Sequence, residues 1–326
     1  VRTEKGWYGD NTDCAGFIAL TERCGVPVRG KKTLVFGSGG ASLAVIAALR
    51  ELGAAPIVNI SRTGPENYGN LARHADAELL VNTTPLGMYP EVEASPVSLD
   101  AFPRCAAVLD VVYNPTRTKL MMDAEARGIP CAGGLTMLVA QARRSAERFR
   151  GAAIPEERVD EIARTLERQM QNIVLIGMPG CGKTTVAQEL SRRTGRPFLD
   201  ADVEIVRRAG RTVPEIFAEE GEAGFRRRET EVLAELGMGS GAVIATGGGC
   251  VTREENYPLL HRNGVIFWIQ RDIDKLPSSG RPLSQQNGPE ALYARRRDKY
   301  AAFADHIIVG DEVIGHTADK ILEVYR

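Results

Sequence analysis

The stretch from residue 172 to residue 184 constrains the fold more than any other part of this sequence. An apolar run, Asn172-Ile-Val-Leu-Ile, leads directly into Gly177-Met-Pro-Gly-Cys-Gly-Lys-Thr184, which matches the pattern G-x-x-x-x-G-K-[ST]. A helical stretch follows, so the motif lies between a predicted strand and a predicted helix. In that setting the backbone N–H groups of the loop surround phosphate oxygens at a helix N-terminus, where the helix dipole favours anions. The sequence therefore predicts an α/β domain that binds a nucleoside triphosphate; a glycine-rich turn with an incidental lysine is the alternative.

The residues of this P-loop have distinct predicted roles. Lys183 is expected to reach the β- and γ-phosphates, and the Thr184 hydroxyl is expected to ligate Mg²⁺. The other predicted ATP-binding residues belong to the loop and the first helical turn: Gly177, Gly180, Cys181, Gly182 and Thr185.

Length and composition limit the classes of protein that fit. The chain has 326 residues, 43% of them hydrophobic, which accommodates two domains that each bury a core. Basic and acidic residues number 41 and 42, so no charge excess favours a nucleic-acid or membrane partner. The six cysteines are scattered without a C-x-x-C pair, which is typical of a reducing cytosol and predicts a cytoplasmic protein. Nothing in the sequence indicates an oligomeric state.

Short apolar runs alternate with helical stretches along the whole chain, which predicts β-α-β units with parallel sheets. Predicted strands lie at Thr33–Phe36, Ile57–Ile60, Leu79–Val81, Val108–Val111, Ile173–Ile176, Pro197–Leu199, Val243–Ala245 and Val265–Ile269. A predicted helix at Pro155–Met170 ends the first half. We therefore expect two three-layer α/β/α domains, residues 1–170 and 171–326, the second being the P-loop domain with a parallel sheet.

Three further motifs in the second half carry candidate chemistry. Asp200-Ala-Asp202 follows a predicted strand and supplies two carboxylates, for magnesium and for a hydroxyl nucleophile; a helix N-cap pair is the alternative. Phe225-Arg-Arg-Arg-Glu229 places three cations in a helical stretch, of which Arg227 and Arg228 are interpreted as a solvated face. The strand Val243–Ala245 leads into three glycines, 247–249, which allow backbone amides to approach a ligand, or else form a plain tight turn.

Together these motifs resemble the shikimate kinases. The P-loop, the Asp-x-Asp pair, Phe-Arg-Arg, the triple glycine, Arg281-Pro-Leu and Arg296-x-x-x-Tyr300 follow in that family's order and cover residues 172–326. The resemblance implies ATP-dependent phosphorylation of shikimate to shikimate 3-phosphate, a step of chorismate and aromatic amino acid biosynthesis. Two departures are visible: the stretch before Arg281 is short, and the proline usual near Arg296 is absent. A P-loop kinase of another small hydroxy acid is the alternative.

The resemblance also implies roles for single residues in catalysis and metal binding. Asp200, with Thr184, would support Mg²⁺, whereas Asp202 would bind the shikimate hydroxyls and act as catalytic base. Arg281 would lie on a mobile lid, roughly residues 275–288, and close over the ATP phosphates.

Four further residues are implied to bind shikimate. Arg226 and Arg296 would bind its carboxylate, and the backbone at Gly248 and Gly249 would contact its ring. A carboxylate with three hydroxyl groups needs a guanidinium fork for the acid and acceptors for the alcohols, so these residue types suit the substrate.

The first half carries a variant of the dinucleotide-binding fingerprint. The run from Lys32 to Ala41 is a predicted strand that enters a turn containing Gly37, Gly39 and Gly40, followed by an alanine-rich helix. The next predicted strand ends in Ser61-Arg62-Thr63, with no acidic residue to accept a ribose 2′-hydroxyl. An arginine there suits a 2′-phosphate, so NADP is favoured over NAD, with an ordinary surface arginine as the alternative.

Further segments of the first half resemble the C-terminal part of shikimate dehydrogenases. They are Gly9-Asp-Asn-Thr-Asp13-Cys-Ala-Gly-Phe17, Asn82-Thr83-Thr-Pro-Leu-Gly-Met88, Asp110-Val-Val-Tyr-Asn-Pro115 and Gly134-Leu-Thr-Met-Leu-Val-Ala-Gln141. The resemblance implies a Rossmann-like NADP domain in which Asn82 and Thr83 join the cofactor-binding residues. It also implies that Asp13 is one member of a catalytic Lys–Asp pair and that Gln141 contacts shikimate. An Asx-type cap and a satisfied helix glutamine are the respective alternatives.

That family has a substrate-binding lobe, with the catalytic lysine, ahead of the Asn-Thr-Asp segment, and few residues precede this segment here. We therefore expect a fragment of a bifunctional dehydrogenase–kinase that phosphorylates shikimate but does not oxidise it. The alternative treats the first half as a non-catalytic module that binds NADP(H).

Overall fold

The structure is a computed structural model, and it describes residues 2–3, 6–276 and 288–325. The chain divides into two compact units, Val1–Glu167 and Arg168–Arg326. Each unit is a parallel sheet with helices around it, so the predicted class of two α/β domains is confirmed. Among the described residues we find no helix with the length and apolar character that a membrane crossing requires.

The first unit is organised around a five-stranded parallel sheet. The strands of the unit as a whole are β1 (Arg2–Thr3), β2 (Gly6–Trp7), β3 (Thr33–Phe36), β4 (Ile57–Ile60), β5 (Leu79–Asn82), β6 (Ala107–Asp110) and β7 (Cys131–Ala132). Its helices are α1 (Thr12–Cys24), α2 (Gly40–Glu51), α3 (Lys119–Glu125), α4 (Leu135–Arg150) and α5 (Glu157–Met170), the last of which continues into the second unit. The sheet has the order β4-β3-β5-β6-β7, and β1 pairs with β2 in a separate antiparallel ribbon.

Side chains along the central strands of this sheet alternate between two hydrophobic clusters. Leu34 and Phe36 of β3 belong to one cluster, whereas Val35 between them belongs to the other. Because successive side chains of a strand point to opposite faces, the two clusters lie on opposite sides of the sheet. Helices cover both faces, which explains why β3, β5 and β6 are buried along their whole length.

The second unit repeats this architecture with a single large core. Its strands are β8 (Asn172–Ile176), β9 (Phe198–Asp200), β10 (Val243–Ala245), β11 (Gly264–Gln270) and β12 (His306–Val309). Its helices are α6 (Lys183–Thr194), α7 (Ala201–Ala209), α8 (Val213–Met238), α9 (Asn256–His261), α10 (Pro289–Phe303) and α11 (Ile314–Tyr325). The sheet has the order β12-β11-β8-β10-β9, and all its strand pairs are parallel.

The register of this sheet brings the candidate motifs to one edge. Leu175 of β8 pairs with Ala245 of β10, which in turn pairs with Asp200 of β9, while Ile176 pairs with Trp268 of β11. The P-loop, the Asp-x-Asp pair and the triple glycine follow the carboxyl ends of these neighbouring strands. Ligands of open parallel sheets bind at that edge, so the fold positions these segments around one site.

Candidate active site

The P-loop wraps the end of β8 into a cradle that closes on the first turn of α6. Gly177, Gly180 and Gly182 have φ values of 146°, 84° and 99°, a backbone region that favours glycine. A Cβ atom on Gly177 would also lie 2.6 Å from the carbonyl oxygen of Ile269. The Lys183 ammonium is buried and donates to the carbonyls of Gly177 at 2.9 Å and Met178 at 3.0 Å. The P-loop backbone therefore holds the Lys183 ammonium within a loop whose conformation suits a bound phosphate group.

Asp200 performs two tasks with its two carboxylate oxygens. Oδ1 caps α7 by accepting from the backbone N–H groups of Asp202 at 3.0 Å and Val203 at 3.2 Å. Oδ2 accepts from the Thr184 hydroxyl at 2.9 Å. The N-cap interpretation thus describes this residue, and the metal interpretation is compatible with it.

The contact between Thr184 and Asp200 joins two hard oxygen ligands beside the phosphate cradle. Mg²⁺ is commonly held by one or two protein oxygens together with substrate phosphates and waters. The described residues contain no cluster of three or more His, Cys, Asp or Glu side chains that could hold a metal without a substrate. The donor set therefore fits a magnesium ion that arrives with the nucleotide.

Asp202 presents a carboxylate that is poised to accept a proton. Its Oδ1 atom is buried and has no hydrogen-bond partner among the described residues. Burial, reinforced by the nearby Glu229 carboxylate, raises the pKa of Asp202 to about 6. A base with this pKa is close to neutrality and available for a hydroxyl group that enters the cleft.

Arg226 forms a buried ion pair that sequence reasoning did not include. Its Nη1 atom donates to Oε2 of Glu229 at 2.6 Å, and Glu229 is completely buried. Burial raises the pKa of Glu229, and the Arg226 guanidinium opposes that shift. Arg226 Nε and Glu229 Oε1 are buried without partners within the described part of the chain. The i,i+3 spacing of these two residues on a helix was the signal in the sequence that could have found the pair.

The three glycines after β10 leave space for three different neighbours. A Cβ atom on Gly247 would lie 2.4 Å from Glu229 Oε1, and one on Gly248 would lie 2.6 Å from the ring of Pro179 in the P-loop. A Cβ atom on Gly249 would lie 2.0 Å from Arg226 Nη2. The backbone of these glycines is therefore in close contact with the Glu229 carboxylate, with Pro179 of the P-loop and with the Arg226 guanidinium. A plain tight turn does not require such contacts.

Arg296 reaches the same segment from α10. It is buried, and its Nη1 atom donates to the carbonyl of Gly248 at 3.0 Å. The Tyr300 hydroxyl, one turn further along the helix, donates to the same carbonyl. The Tyr300 ring stacks on Trp268 at a centroid distance of 5.5 Å, which fixes α10 against β11.

These groups line one cleft of about 520 Å³. It brings together most of the predicted residues of the second unit: Gly180, Gly182, Lys183, Thr184, Thr185, Asp202, Arg226, Gly248, Gly249 and Arg296. Gly177, Cys181 and Asp200 lie outside this lining, and Cys181 is buried. Arg281 lies outside the described residues.

The cleft also has walls that the sequence interpretation missed. Val213, Phe217 and Phe225 supply an apolar wall from α8, and Arg271 follows the carboxyl end of β11. Arg271 also lines an adjoining cleft of about 640 Å³, together with Tyr293 and Gly310. The position of Arg271 just after a strand was the available signal, because the other motifs of the site occupy the same kind of position.

The first unit has its own cleft, of about 490 Å³, at the glycine-rich turn. Its lining includes the predicted residues Gly37, Gly39, Ser61, Arg62 and Thr83, together with Ser38, Tyr68, Thr84, Pro85 and Leu86. Gly37 has φ 124°, and a Cβ atom there would lie 2.5 Å from the Thr83 hydroxyl. The turn and the loop after β5 are thus in direct contact at the cleft.

Four residues predicted to bind the cofactor are outside that lining. Gly40 and Ala41 form the first turn of α2, and Thr63 lies beyond Arg62 in the loop. The Asn82 side chain is buried, donates to both carboxylate oxygens of Asp110 at 3.1 and 3.2 Å, and accepts from Thr84. Asn82 therefore supports the loop that lines the cleft instead of facing the cleft itself.

Asp13 and Gln141 belong to two helices that pack closely. Asn11 caps α1 by accepting from the N–H of Asp13 at 2.9 Å, so the cap is Asn11 and Asp13 lies in the first turn. A Cβ atom on Gly16 would lie 2.7 Å from the carbonyl of Met137 and 3.2 Å from Cβ of Gln141. Gln141 lines a third, mainly apolar cleft of about 570 Å³ between α4 and α5, and Asp13 lines neither cleft of this unit.

Comparisons with known proteins find shikimate kinases and a protein with a shikimate 5-dehydrogenase part among the similar proteins. The sequence pattern of one family, described as shikimate kinase, matches residues 179–326. A shikimate kinase of Symbiobacterium thermophilum is 43% identical over 168 residues, which are 47% of this chain and 97% of that protein. A shikimate kinase of Methylococcus capsulatus is 44% identical over 169 residues, which are 49% of this chain and 94% of that protein.

Among solved structures, a shikimate kinase from Acinetobacter baumannii in complex with shikimate matches with 36% identity and a TM-score of 0.46, covering 49% of this chain and 96% of its own. A chorismate mutase/shikimate 5-dehydrogenase fusion protein from Clostridium acetobutylicum matches with 32% identity and a TM-score of 0.48. That match covers 51% of this chain, which spans 64% of the length of the fusion protein.

Proposed function

The chain belongs to the shikimate kinase family, and from this premise we propose that its second unit transfers the γ-phosphate of ATP to a hydroxyl of shikimate, giving shikimate 3-phosphate and ADP. The observation that carries the proposal is the composition of a single cleft. The phosphate cradle with Lys183, the carboxylate of Asp202 and the guanidinium groups of Arg226 and Arg296 all line it. Shikimate carries a carboxylate and three hydroxyl groups, so these groups match it in kind and in charge.

The roles of the individual residues follow from their surroundings. Lys183 places a positive charge beside the phosphates, where negative charge develops during transfer. Asp202 accepts the proton of the attacking hydroxyl as the new O–P bond forms and ADP leaves. Arg226 and Arg296 hold the carboxylate and so orient the ring. Thr184 and Asp200 would hold Mg²⁺, which supplies charge neutralisation at the phosphates when it is bound.

Two further expectations, on Arg281 and on the location of the protein, do not concern the lining of the cleft. Arg281 is proposed to contact the ATP phosphates, as the resemblance implies, and it lies outside the described residues. The unpaired thiols of all six cysteines support a proposed location in the cytoplasm, because disulfides are rare there.

An ADP-release assay with shikimate, ATP and Mg²⁺ tests the proposal directly. Lys183→Ala should lower kcat by a factor of about 10² to 10³, because a preorganised charge at the transferring phosphate is lost. Lys320→Ala is the matched control, since its ammonium donates to the carbonyl of Val309 on the surface and should leave turnover unchanged. A folded Lys183→Ala variant with near-normal turnover would remove the P-loop from the mechanism. Comparable turnover of other hydroxylated carboxylic acids would favour a different substrate.

We also propose that the first unit binds NADP in the cleft at Gly37. The glycine-rich turn between β3 and α2 offers backbone N–H groups to a pyrophosphate, and Arg62 lines the same cleft for a 2′-phosphate. Arg62→Ala should weaken NADP binding about tenfold or more in a calorimetric titration and leave NAD binding unchanged, because a charged hydrogen bond to phosphate is lost. Equal loss for both cofactors would contradict the assignment.

We expect no shikimate-dependent reduction of NADP⁺ by this chain, although it resembles the dehydrogenases. Asp13 and Gln141, the residues that the resemblance assigns to shikimate, lie outside the lining of the dinucleotide cleft. A spectrophotometric measurement of NADPH formation at high shikimate concentration tests this point, and formation of NADPH would refute it.

A further inference from the structure

Helix α8 is interrupted within the wall of the substrate cleft. Gly221 has φ 68° and ψ −178°, so the helix consists of two segments that meet at this residue. Val213 and Phe217 of the first segment line the cleft, and so do Phe225 and Arg226 of the second. The angle between the segments therefore sets the distance from Val213 and Phe217 to the Arg226 guanidinium.

Three charged residues bridge this interruption, and we refer to Arg211, Glu220 and Arg228 as the Gly221 clamp. Glu220 ends the first segment and accepts from Arg228 of the second, with Nε at 2.9 Å from Oε2 and Nη2 at 2.9 Å from Oε1. Arg211, which precedes the helix, donates to Glu220 Oε1 at 2.9 Å and also pairs with Glu219. One carboxylate thus connects the residues on both sides of the interruption through a two-pronged contact.

The backbone near the interruption is fitted to this carboxylate. A Cβ atom on Gly224 would lie only 2.3 Å from Cβ of Glu220 and 3.1 Å from its Oε2 atom. Glycine at this position lets the Glu220 stem pass directly over the second segment. The rings of Phe217 and Phe225, which both line the cleft, meet at a centroid distance of 4.8 Å, so an apolar contact spans the same interruption.

We propose that Glu220 is a positioning residue which, through Arg211 and Arg228, fixes the angle between the two segments of α8 and thereby the affinity for the acid substrate. The proposal rests on the proposed phosphorylation of shikimate, and it assigns to a charge cluster outside the cleft lining a role in setting the geometry of the cleft. Gly221 permits the backbone conformation at the interruption, and the Gly221 clamp fixes the angle between the two segments of α8. Without the clamp the segments adopt a range of angles, and part of the binding free energy is spent on ordering them.

The size of the effect follows from the exposure of the clamp. The side chains of Glu220 and Arg228 are 22% and 33% exposed, so their pairing is partly shielded from solvent. Glu220→Ala should raise the KM for shikimate about three- to tenfold, the range expected for a two-pronged, partly shielded ion pair. The KM for ATP and the value of kcat should change less than about twofold, because none of the three clamp residues contributes to the P-loop or lines the cleft.

Glu189→Ala is the matched control for this experiment. Glu189 is also a helix carboxylate that binds two arginines, Arg192 and Arg193, and its side chain is 21% exposed. Its loss should leave the KM for shikimate unchanged. Arg228→Ala should also raise this KM, but no more than Glu220→Ala does, because the contact between Arg211 and Glu220 remains. The double variant should resemble Glu220→Ala, because Arg228 acts through Glu220. Glu220→Asp should restore part of the affinity, and high salt should reduce the difference from wild type.

Amide hydrogen exchange of the full chain without substrate gives a readout that is independent of turnover. Peptides within residues 213–220 should exchange several-fold faster in Glu220→Ala than in wild type or Glu189→Ala. An unchanged KM for shikimate, additive single variants, or unchanged exchange would each overturn the proposal. A wild-type chain that releases no ADP with shikimate would instead overturn the proposed function, while the exchange measurement would still decide whether the clamp holds the segments.

Discussion

Gly249→Ala adds a single methyl group at the point where the backbone passes closest to Arg226. The added Cβ atom would lie 2.0 Å from Nη2, 2.2 Å from Cζ and 2.4 Å from Nη1. Gly249 itself has φ −109° and ψ 4°, outside the positive-φ region, so alanine meets no backbone strain of that kind here. The perturbation therefore acts almost entirely on the position of one guanidinium group.

The magnitude follows from these distances. Ordinary contact begins near 3.4 Å, so the guanidinium must retreat by about 1.4 Å from its place in the cleft. Such a shift weakens a charged hydrogen bond to the substrate carboxylate, which is worth about 1.5–3 kcal/mol. The KM for shikimate should therefore rise about 10- to 150-fold. Overpacking of the buried site should also lower the free energy of unfolding by about 1–3 kcal/mol.

Steady-state ADP release, measured while shikimate and ATP are varied separately, checks this prediction. Gly315→Ala is the control, because its Cβ atom would also press on an arginine, lying 3.0 Å from Nη2 of Arg193, and neither residue belongs to the cleft lining. The KM for ATP should stay within about twofold of wild type in both variants, because in each the methyl presses first on an arginine that is not part of the P-loop. A folded Gly249→Ala variant with a normal KM for shikimate would refute the assignment of Arg226 to the substrate carboxylate.

Two further predictions concern pH and the cofactor. Because burial raises the pKa of Asp202 to about 6, the folded state binds this proton more tightly than the unfolded state, so ionisation costs stability as pH rises. In thermal melts, the stability of Asp202→Asn relative to wild type should therefore increase as the pH rises from 4 to about 6. The kcat/KM of the wild type for shikimate should fall as the pH is lowered through about 6. A stability difference in favour of Asp202→Asn that shrinks with rising pH would contradict this sign. Gly37→Ala should abolish measurable NADP binding, because its Cβ atom would strike the Thr83 hydroxyl at 2.5 Å, whereas Gly128→Ala, with φ 66° but open space, should retain it.

Eight of the ten strands of the two sheets were predicted from the sequence to within one residue at each end, whereas β7 and β12 were missed. The predicted Thr33–Phe36, Ile57–Ile60 and Val243–Ala245 coincide with β3, β4 and β10. Strands of a parallel sheet that is covered on both faces read as short continuous apolar runs, and the turns after them are marked by glycine. The placement of the motifs at one sheet edge follows from the same alternation of strands and helices.

The ion pairs of α8 show what the sequence did not reveal. Arg228 was interpreted as part of a solvated face, but it is half-buried and paired with Glu220, whereas Arg227 is exposed. The two partners are eight residues apart, about two turns of a straight helix, where side chains on one face do not normally pair. The pairing depends on the interruption at Gly221, and helical periodicity alone does not indicate the angle of such an interruption.

The three glycines 247–249 connect parts of the site that come from distant positions in the sequence. A methyl group on Gly247 would press on Glu229 and Asp202, whereas one on Gly248 would press on the ring of Pro179. The ring of Pro179 is rigid, so Gly248→Ala should displace the P-loop and raise the KM for ATP, unlike Gly249→Ala. Because each glycine contacts a different part of the site, three alanine variants should produce three distinct defects, and a shared defect would mean that the segment acts only as a turn.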